Sequence, residues 1–509
     1  MLAKVNSGCV MGIDAYLIDV EVDSANGLPM FSVVGLPDTA IRESRDRIRS
    51  AIKNSGFFFP KGKVTVNLSP ANVKKEGVGF DLPIAVGILA ASGYVTPESL
   101  DGLLLCGELS LNGKLKPFRG ALPIAISAQK INKALILPEK NAYEAVNVAG
   151  ITAYGASSLK KVIEHLQGVQ SLEPINIEND PFTKTLPVDN PDIKDVKGQE
   201  YAKRALEVAA SGSHNILFLG PPGAGKSMLA KRFPSILPDL SQEEALEVTR
   251  IYSIAGQLKD SRLINSRQMR APHHTISYAG MAGGGSWPLP GEISFAHNGV
   301  LFLDEFPEFR RDVLETLRQP IESGEITITR TQQSVKYPAR FILIAAMNPC
   351  PCGYFTDSKK TCQCTPHQIQ RYLSKISGPL LDRIDIHLEV PRLNYEELSR
   401  KTNGESSQII KKRVIKTNHI QKLRFKNKPA HLAYNAYMKS KELESYCVLS
   451  KESEEILKTA ILELGISARA YDKILKISRT IADMDNSTII ESPHISEAVG
   501  YRCLDKNLW

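Results

Sequence analysis

The chain has 509 residues, with 63 Lys or Arg against 55 Asp or Glu and a net charge of +8. No apolar run approaches the ~18–20 residues of a membrane span, and the first residues carry no signal-peptide pattern, so a cytoplasmic protein without membrane contact is expected. Of eight cysteines, four crowd into residues 350–364, which excludes a secreted disulfide framework and points to metal instead.

Residues 1–170 alternate short strands and helices and read as an α+β domain. Ala15–Val22 and Lys63–Leu68 alternate as strands, and Thr39–Ser55 reads as a helix with Thr39 as N-cap. Residues 82–92 and 121–130 read as further helices. Residues 171–192, with several Pro, Asn and Asp, read as a linker. From 193 to 393, buried strands alternate with helices, as in a doubly wound α/β domain. Residues 394–509 show only helical periodicity.

The second region opens on its most specific feature. Gly220-Pro-Pro-Gly-Ala-Gly-Lys226-Ser227 matches the G-x-x-x-x-G-K-[ST] phosphate loop. The apolar run Asn215–Leu219 precedes it and a helical pattern from Met228 follows, which is the context the motif requires. The loop of Gly220, Pro221, Pro222, Gly223, Ala224 and Gly225 turns backbone N–H groups toward phosphates. Lys226 is expected on the β- and γ-phosphates of ATP, and Ser227 on Mg²⁺.

Residues 270–297 form a long glycine-rich stretch inside the α/β region, a kind of loop that is often functional. Its adjacent His273 and His274 suit packing, hydrogen bonding or DNA contact better than a shared metal. The strand Gly299–Leu303 then ends in Asp304 and Glu305. Ligands bind at the carboxyl ends of such strands. Asp304 is expected to hold Mg²⁺ through its water shell, and Glu305 to polarise the attacking water.

Glu325–Arg340 reads as a hairpin with Arg330–Gln333 at its tip. A third apolar strand, Phe341–Met347, delivers Asn348, which can orient water or sense the γ-phosphate. Cys350, Cys352, Cys362 and Cys364 form two C-x-C pairs separated by nine residues. Such thiolates can enclose a structural zinc, or they can remain reduced thiols. Arg383 and Arg469 could stabilise charge on a transferred phosphoryl group or form surface ion pairs. The basic stretch from Lys411 to Lys428 has the character of a solvated face.

With these residues in place, the chain closely resembles the magnesium-chelatase-like AAA+ ATPases, and within them the competence-associated ComM/YifB family. The resemblance covers the whole chain. It rests most on Arg270-Ala-Pro-His-His-Thr275, on Gly291–Glu305 and on Ala346-Met-Asn-Pro-Cys-Pro-Cys-Gly353. It implies a P-loop α/β domain with a helix-2 insertion and a pre-sensor-1 hairpin, both facing a pore, and a C-terminal helical lid. It implies a homo-hexamer with ATP at each interface, Arg383 as an arginine finger and Arg469 as a second sensor.

Residues 1–170 resemble the Lon protease domain, a fold shared with a ribosomal protein. Gly79 and Leu122 stand at the nucleophile and base positions of that family, so proteolysis is not expected.

The function implied is that of a helicase driving branch migration as incoming DNA recombines during natural transformation. DNA, single-stranded or branched, is the expected partner together with recombination proteins, and Arg330 and Lys336 are the candidate backbone contacts. The competing reading is a chelatase-type remodelling ATPase acting on a protein partner.

Overall fold

The computed structural model describes all residues except 72–74, 76, 177–190, 286, 331–332, 356, 358, 395–403, 465–466, 503 and 505–509. Most of the expected 171–192 linker therefore lies outside the described residues. The chain gathers into two compact units. One comprises Met1–Leu186, Gln242–Ile264 and Thr329–Lys336; the other comprises Pro187–Ser241, Asn265–Ile328 and Tyr337–Trp509.

In the first unit, β1 (Leu2–Met11) and β2 (Asp14–Ala25) pair as an antiparallel hairpin. Its tight turn is made by Gly12, whose φ of +64° suits a residue without Cβ. β3 (Met30–Val34) and β4 (Lys63–Ser69) complete a sheet of order β1-β2-β4-β3. Between them runs α1 (Thr39–Asn54), which buries Ile41, Ile48, Ala51 and Ile52. The helix is the one expected, but its N-cap is Asp38 rather than Thr39. The Asp38 carboxylate accepts the Ile41 N–H at 2.8 Å, one of the donors that a helix start leaves unpaired.

α2 (Asp81–Ala91) is buried at every position, as its uninterrupted apolar run requires. After β5 (Leu103–Leu105) come the short β6 (Glu108–Leu109) and β7 (Leu115–Lys116) and helix α3 (Ala121–Lys130). β8 (Ala134–Pro138), α4 (Glu139–Ala145), β9 (Ala153–Ala156) and α5 (Leu159–Leu166) finish the unit's N-terminal stretch. β5, β8 and β9 form a parallel sheet. Leu122 is fully buried on α3.

The second unit begins with α6 (Glu200–Gly212), β10 (Ile216–Leu219) and α7 (Lys226–Arg232). The next helix, α8 (Gln242–Ala255), belongs to the first unit. The glycine-rich stretch is more structured than a loop. It contains β11 (Met269–Arg270), α9 (Tyr278–Ala282), the paired β12 (Gly283–Gly284) and β13 (Leu289–Pro290), and α10 (Glu292–Phe295).

β14 (Gly299–Leu303) is followed by α11 (Arg311–Glu315) and α12 (Arg318–Ser323). The expected hairpin is present as β15 (Glu325–Arg330) and β16 (Gln333–Pro338). β17 (Phe341–Met347), α13 (Pro366–Leu373), α14 (Gly378–Leu381) and β18 (Ile386–Glu389) complete the α/β part.

Five parallel strands form its sheet in the order β11-β14-β17-β10-β18. β10, β14 and β17 are buried at every residue, the pattern of parallel strands covered on both faces. Ile216, Phe218, Ile344 and Ile386 share one apolar core with Ile474 and Ile481 of the helical region. That region holds helices Ser407–Arg424, Ser440–Tyr446, Lys451–Leu464, Ala468–Met484 and Ser492–Gly500.

Half of the basic residues from Lys411 to Lys428 form ion pairs within the unit. Lys411 meets Asp239 at 2.7 Å, Arg413 meets Glu207 and Glu405, and Arg424 meets Asp483. Among the described residues, no helix is long and apolar enough to cross a membrane.

Candidate nucleotide-hydrolysis site

The site is built where β10, β17 and β14 end side by side. Gly220 leaves β10 so close to β18 that a Cβ would lie 2.2 Å from the Val390 carbonyl oxygen. Gly223 and Gly225 have φ of +79° and +92°, conformations that favour glycine. Helix α7 then starts at Lys226.

Lys226 is 7% exposed, and its ammonium donates to the carbonyls of Gly220 at 2.6 Å and Pro221 at 3.0 Å. A third donation reaches Asn348 Oδ1 at 3.1 Å. Burial lowers the Lys226 pKa to about 8, with Asp304 opposing the shift. Asn348 can be reached because β17 lies between β10 and β14. The Ser227 hydroxyl donates to Asp304 Oδ2 at 2.5 Å. The contact places side by side the two oxygen donors that would share one Mg²⁺, a hard ion that takes oxygen ligands.

Glu305 has φ +52°, a left-handed conformation unusual for a side chain of this size. Its N–H donates to Asp304 Oδ1 at 3.0 Å. Its carboxylate lies 3.0 Å from His274 Nδ1. Reading the sequence did not connect His274 with Glu305. The available signal was the Arg270–Thr275 motif itself. Arg270 locks the end of β11 by a bidentate pair with Glu292, both contacts at 2.6 Å. The His274 ring also lies 4.1 Å from the His273 ring and meets Phe309 edge-on at 6.4 Å.

Arg383 and Arg469 lie elsewhere. Arg383 lies three residues before the start of β18, whereas the phosphate loop follows the end of the parallel β10. The two therefore sit at opposite ends of the sheet. Arg383 pairs with Glu322 at 2.5 Å, and Arg469 meets Asp382 at 3.4 Å. Both line a cavity of about 950 Å³ together with Arg340 and Lys473.

Asp385, also in the cavity lining, is buried and accepts from Lys473 at 2.6 Å and from the Asn215 N–H at 3.0 Å. Burial alone would raise the Asp385 pKa, but Lys473 and His214 hold it well below the usual carboxylate range.

The hairpin's inward face buries Ile326, Ile328 and Tyr337, and the Tyr337 hydroxyl donates to the Pro288 carbonyl at 2.7 Å. Lys336 is exposed on β16. Arg330 ends β15, but its side chain lies outside the described residues, as do 331 and 332 of the tip. The thiols of Cys350, Cys352, Cys362 and Cys364 lie within 4.8 Å of one another.

A glycine-rich loop and acidic strand end on a five-stranded parallel sheet, followed by a helical region, define a P-loop α/β protein compatible with the magnesium-chelatase-like AAA+ fold. The comparisons with known proteins agree. A family model described as magnesium chelatase, subunit ChlI, matches residues 192–398. Models for subunit ChlI and for the ChlI C-terminal region match 20–141 and 404–502.

Competence protein ComM of Haemophilus influenzae is 44% identical over 99% of this chain and 98% of its own length. The YifB protein of Salmonella typhimurium is 44% identical over 100% of this chain and 98% of its own. The magnesium-chelatase 38 kDa subunit of Rhodobacter capsulatus is 24% identical over 30% of this chain and 49% of its own. The chain belongs to the ComM/YifB-type magnesium-chelatase-like proteins. Membership in that family implies an ATPase.

Proposed function

We propose that the protein is an ATP-driven DNA motor: a hexameric ring that hydrolyses ATP and promotes branch migration when incoming DNA recombines. In this reading residues 193–393 are the ATPase core and 394–509 its lid. Residues 1–170 are a Lon-like domain whose Gly79 and Leu122 offer neither nucleophile nor base.

The observation that carries the reading is the division of labour across the sheet. Lys226, Ser227, Asp304, Glu305 and Asn348 gather at one end, and Arg383 and Arg469 at the other. An incoming phosphate chain draws the Lys226 ammonium off its own loop carbonyls. Ser227 and Asp304 would hold Mg²⁺, which would supply positive charge beside the β- and γ-phosphates. Glu305 takes the proton of the attacking water, and Asn348 positions that water or the γ-phosphate. The arginines complete the site of an adjacent copy, so the ring is needed for turnover.

The DNA part of the reading is supported by the likeness to a protein named for competence and by an exposed Lys336 on the hairpin. The magnesium-chelatase family models favour a second reading, remodelling of a protein partner. Steady-state ATP turnover with and without single-stranded DNA separates the two. Stimulation by DNA supports the motor; turnover indifferent to DNA, with no DNA binding, supports the remodelling reading.

A further inference from the structure

The four cysteines follow Asn348 in the loop that leaves β17, and nothing in the hydrolysis chemistry uses them. Cys350 is fully buried. Its Sγ lies 3.3 Å from that of Cys352 and 3.7 Å from that of Cys362, and Cys352 and Cys362 are 3.6 Å apart. Zinc–thiolate bonds of about 2.3 Å put the corners of a tetrahedron about 3.8 Å apart. Three of the four sulfurs therefore already stand near the corner spacing of a tetrathiolate centre, and Cys364 lies within 4.8 Å of them.

A backbone donor also reaches the cluster: the Cys364 N–H donates to Cys362 Sγ at 3.4 Å. Such N–H···S bonds disperse the charge that four thiolates bring to a divalent ion.

The same loop touches the phosphate loop. Gly353 has φ +84°, and a Cβ there would lie 2.6 Å from Cδ of Pro222. Asn348, two residues before the first cysteine, accepts from Lys226. On the far side, Cys364 is followed at once by Thr365, which caps α13 through a reciprocal capping box. Between β17 and α13 the described residues form no regular element, so the segment keeps its shape through local contacts: Asp357, which accepts from Lys359 and Lys360 and pairs with Arg392, and the cysteine cluster.

We propose that Cys350, Cys352, Cys362 and Cys364 bind one structural zinc ion, and that the closed centre presses Gly353 onto Pro222 and so holds the phosphate loop and Asn348 in register. Binding displaces four thiol protons and leaves no open coordination position, so the ion takes no part in hydrolysis. The coupling to nucleotide rests on the hydrolysis site proposed above, whereas the metal site does not.

The test uses the purified full-length chain. Zinc per chain is measured by elemental analysis, and cobalt is substituted to read the absorption of a tetrahedral thiolate complex. Nucleotide affinity is then followed with a fluorescent ATP analogue. One zinc per chain and a tetrathiolate cobalt spectrum are expected in the wild type. Cys352→Ser and Cys362→Ser should each lose the metal and weaken nucleotide affinity about tenfold or more.

Gly353→Ala separates the two parts: it should keep its zinc and still bind nucleotide more weakly, because its methyl group meets Pro222. A wild-type protein that takes up neither zinc nor cobalt stoichiometrically overturns the metal site. Stoichiometric metal with nucleotide affinity unchanged in all three variants overturns the coupling and leaves the metal site standing.

Discussion

His274 Nδ1 lies 3.0 Å from the carboxylate of Glu305, joining the segment that leaves β11 to the acidic end of the neighbouring β14. His274 is itself in contact with the rings of His273 and Phe309, so it can fix where the Glu305 carboxylate points. Removing that hold should cost turnover rather than binding. Glu305→Gln should lower kcat by ~10²–10⁴, the usual range for a lost general base. His274→Ala should lower kcat by about tenfold at little change in KM, with part of the loss restored by His274→Asn, because positioning acts on the reacting geometry. Steady-state phosphate release measures both, and a wild-type kcat in His274→Ala would show that the contact is incidental.

Lys226 ties ATP binding to pH. Its pKa is lowered to about 8 in the free protein, and a bound phosphate chain raises it. Between about pH 8 and the ordinary lysine value near 10.4, binding must therefore take up a proton. Affinity should fall with rising pH across that window, by up to about tenfold per unit. Calorimetry in buffers of different ionisation enthalpy reads the proton directly. No proton uptake at pH 9 would contradict the burial argument.

The opposite placement of Lys226 and Arg383 predicts complementation between copies. Lys226→Ala and Arg383→Ala should each be inactive alone, an arginine of this kind being worth ~10³-fold or more. Mixed rings contain interfaces with an intact loop from one copy and an intact arginine from the next, about a quarter of the total in an equal random mixture. Activity should therefore reappear on mixing and subunit exchange. Mixtures as inactive as their components would place Arg383 outside the reaction.

Asp385 lines the arginine cavity and is held by Lys473 and Asn215. Asp385→Ala leaves a buried ammonium without its partner and should destabilise the unit by ~3–5 kcal/mol. The folded pKa of Asp385 lies below its unfolded value, so its contribution is present above the ordinary carboxylate pKa. It is lost as pH falls through the folded value. Chemical denaturation of wild type and variant between pH 7 and 4 should show the difference undiminished, whereas a gap that closes by pH 5 would contradict the depressed pKa.

What the sequence showed and what it hid divide along local and distant relationships. The phosphate loop was legible because eight contiguous residues dictate their own backbone path. β14 and β17 were legible because strands buried on both faces are short apolar runs. The Asp38 cap was missed by one residue, a boundary that depends on which side chain reaches the Ile41 N–H.

The His274–Glu305 contact depends on β11 lying beside β14, which no local pattern encodes. Arg469 and Asp382 are 87 residues apart in the chain, and only the packing of the helical region onto the sheet brings them together. The same holds for the basic helix, whose partners Glu207 and Asp239 lie far upstream.

Branch migration tests the central claim most directly. A labelled three-strand junction is incubated with the protein and ATP, beside Glu305→Gln. The account predicts ATP-dependent strand movement by the wild type and none by the variant. ATP hydrolysis by the wild type with no movement of DNA strands would contradict it.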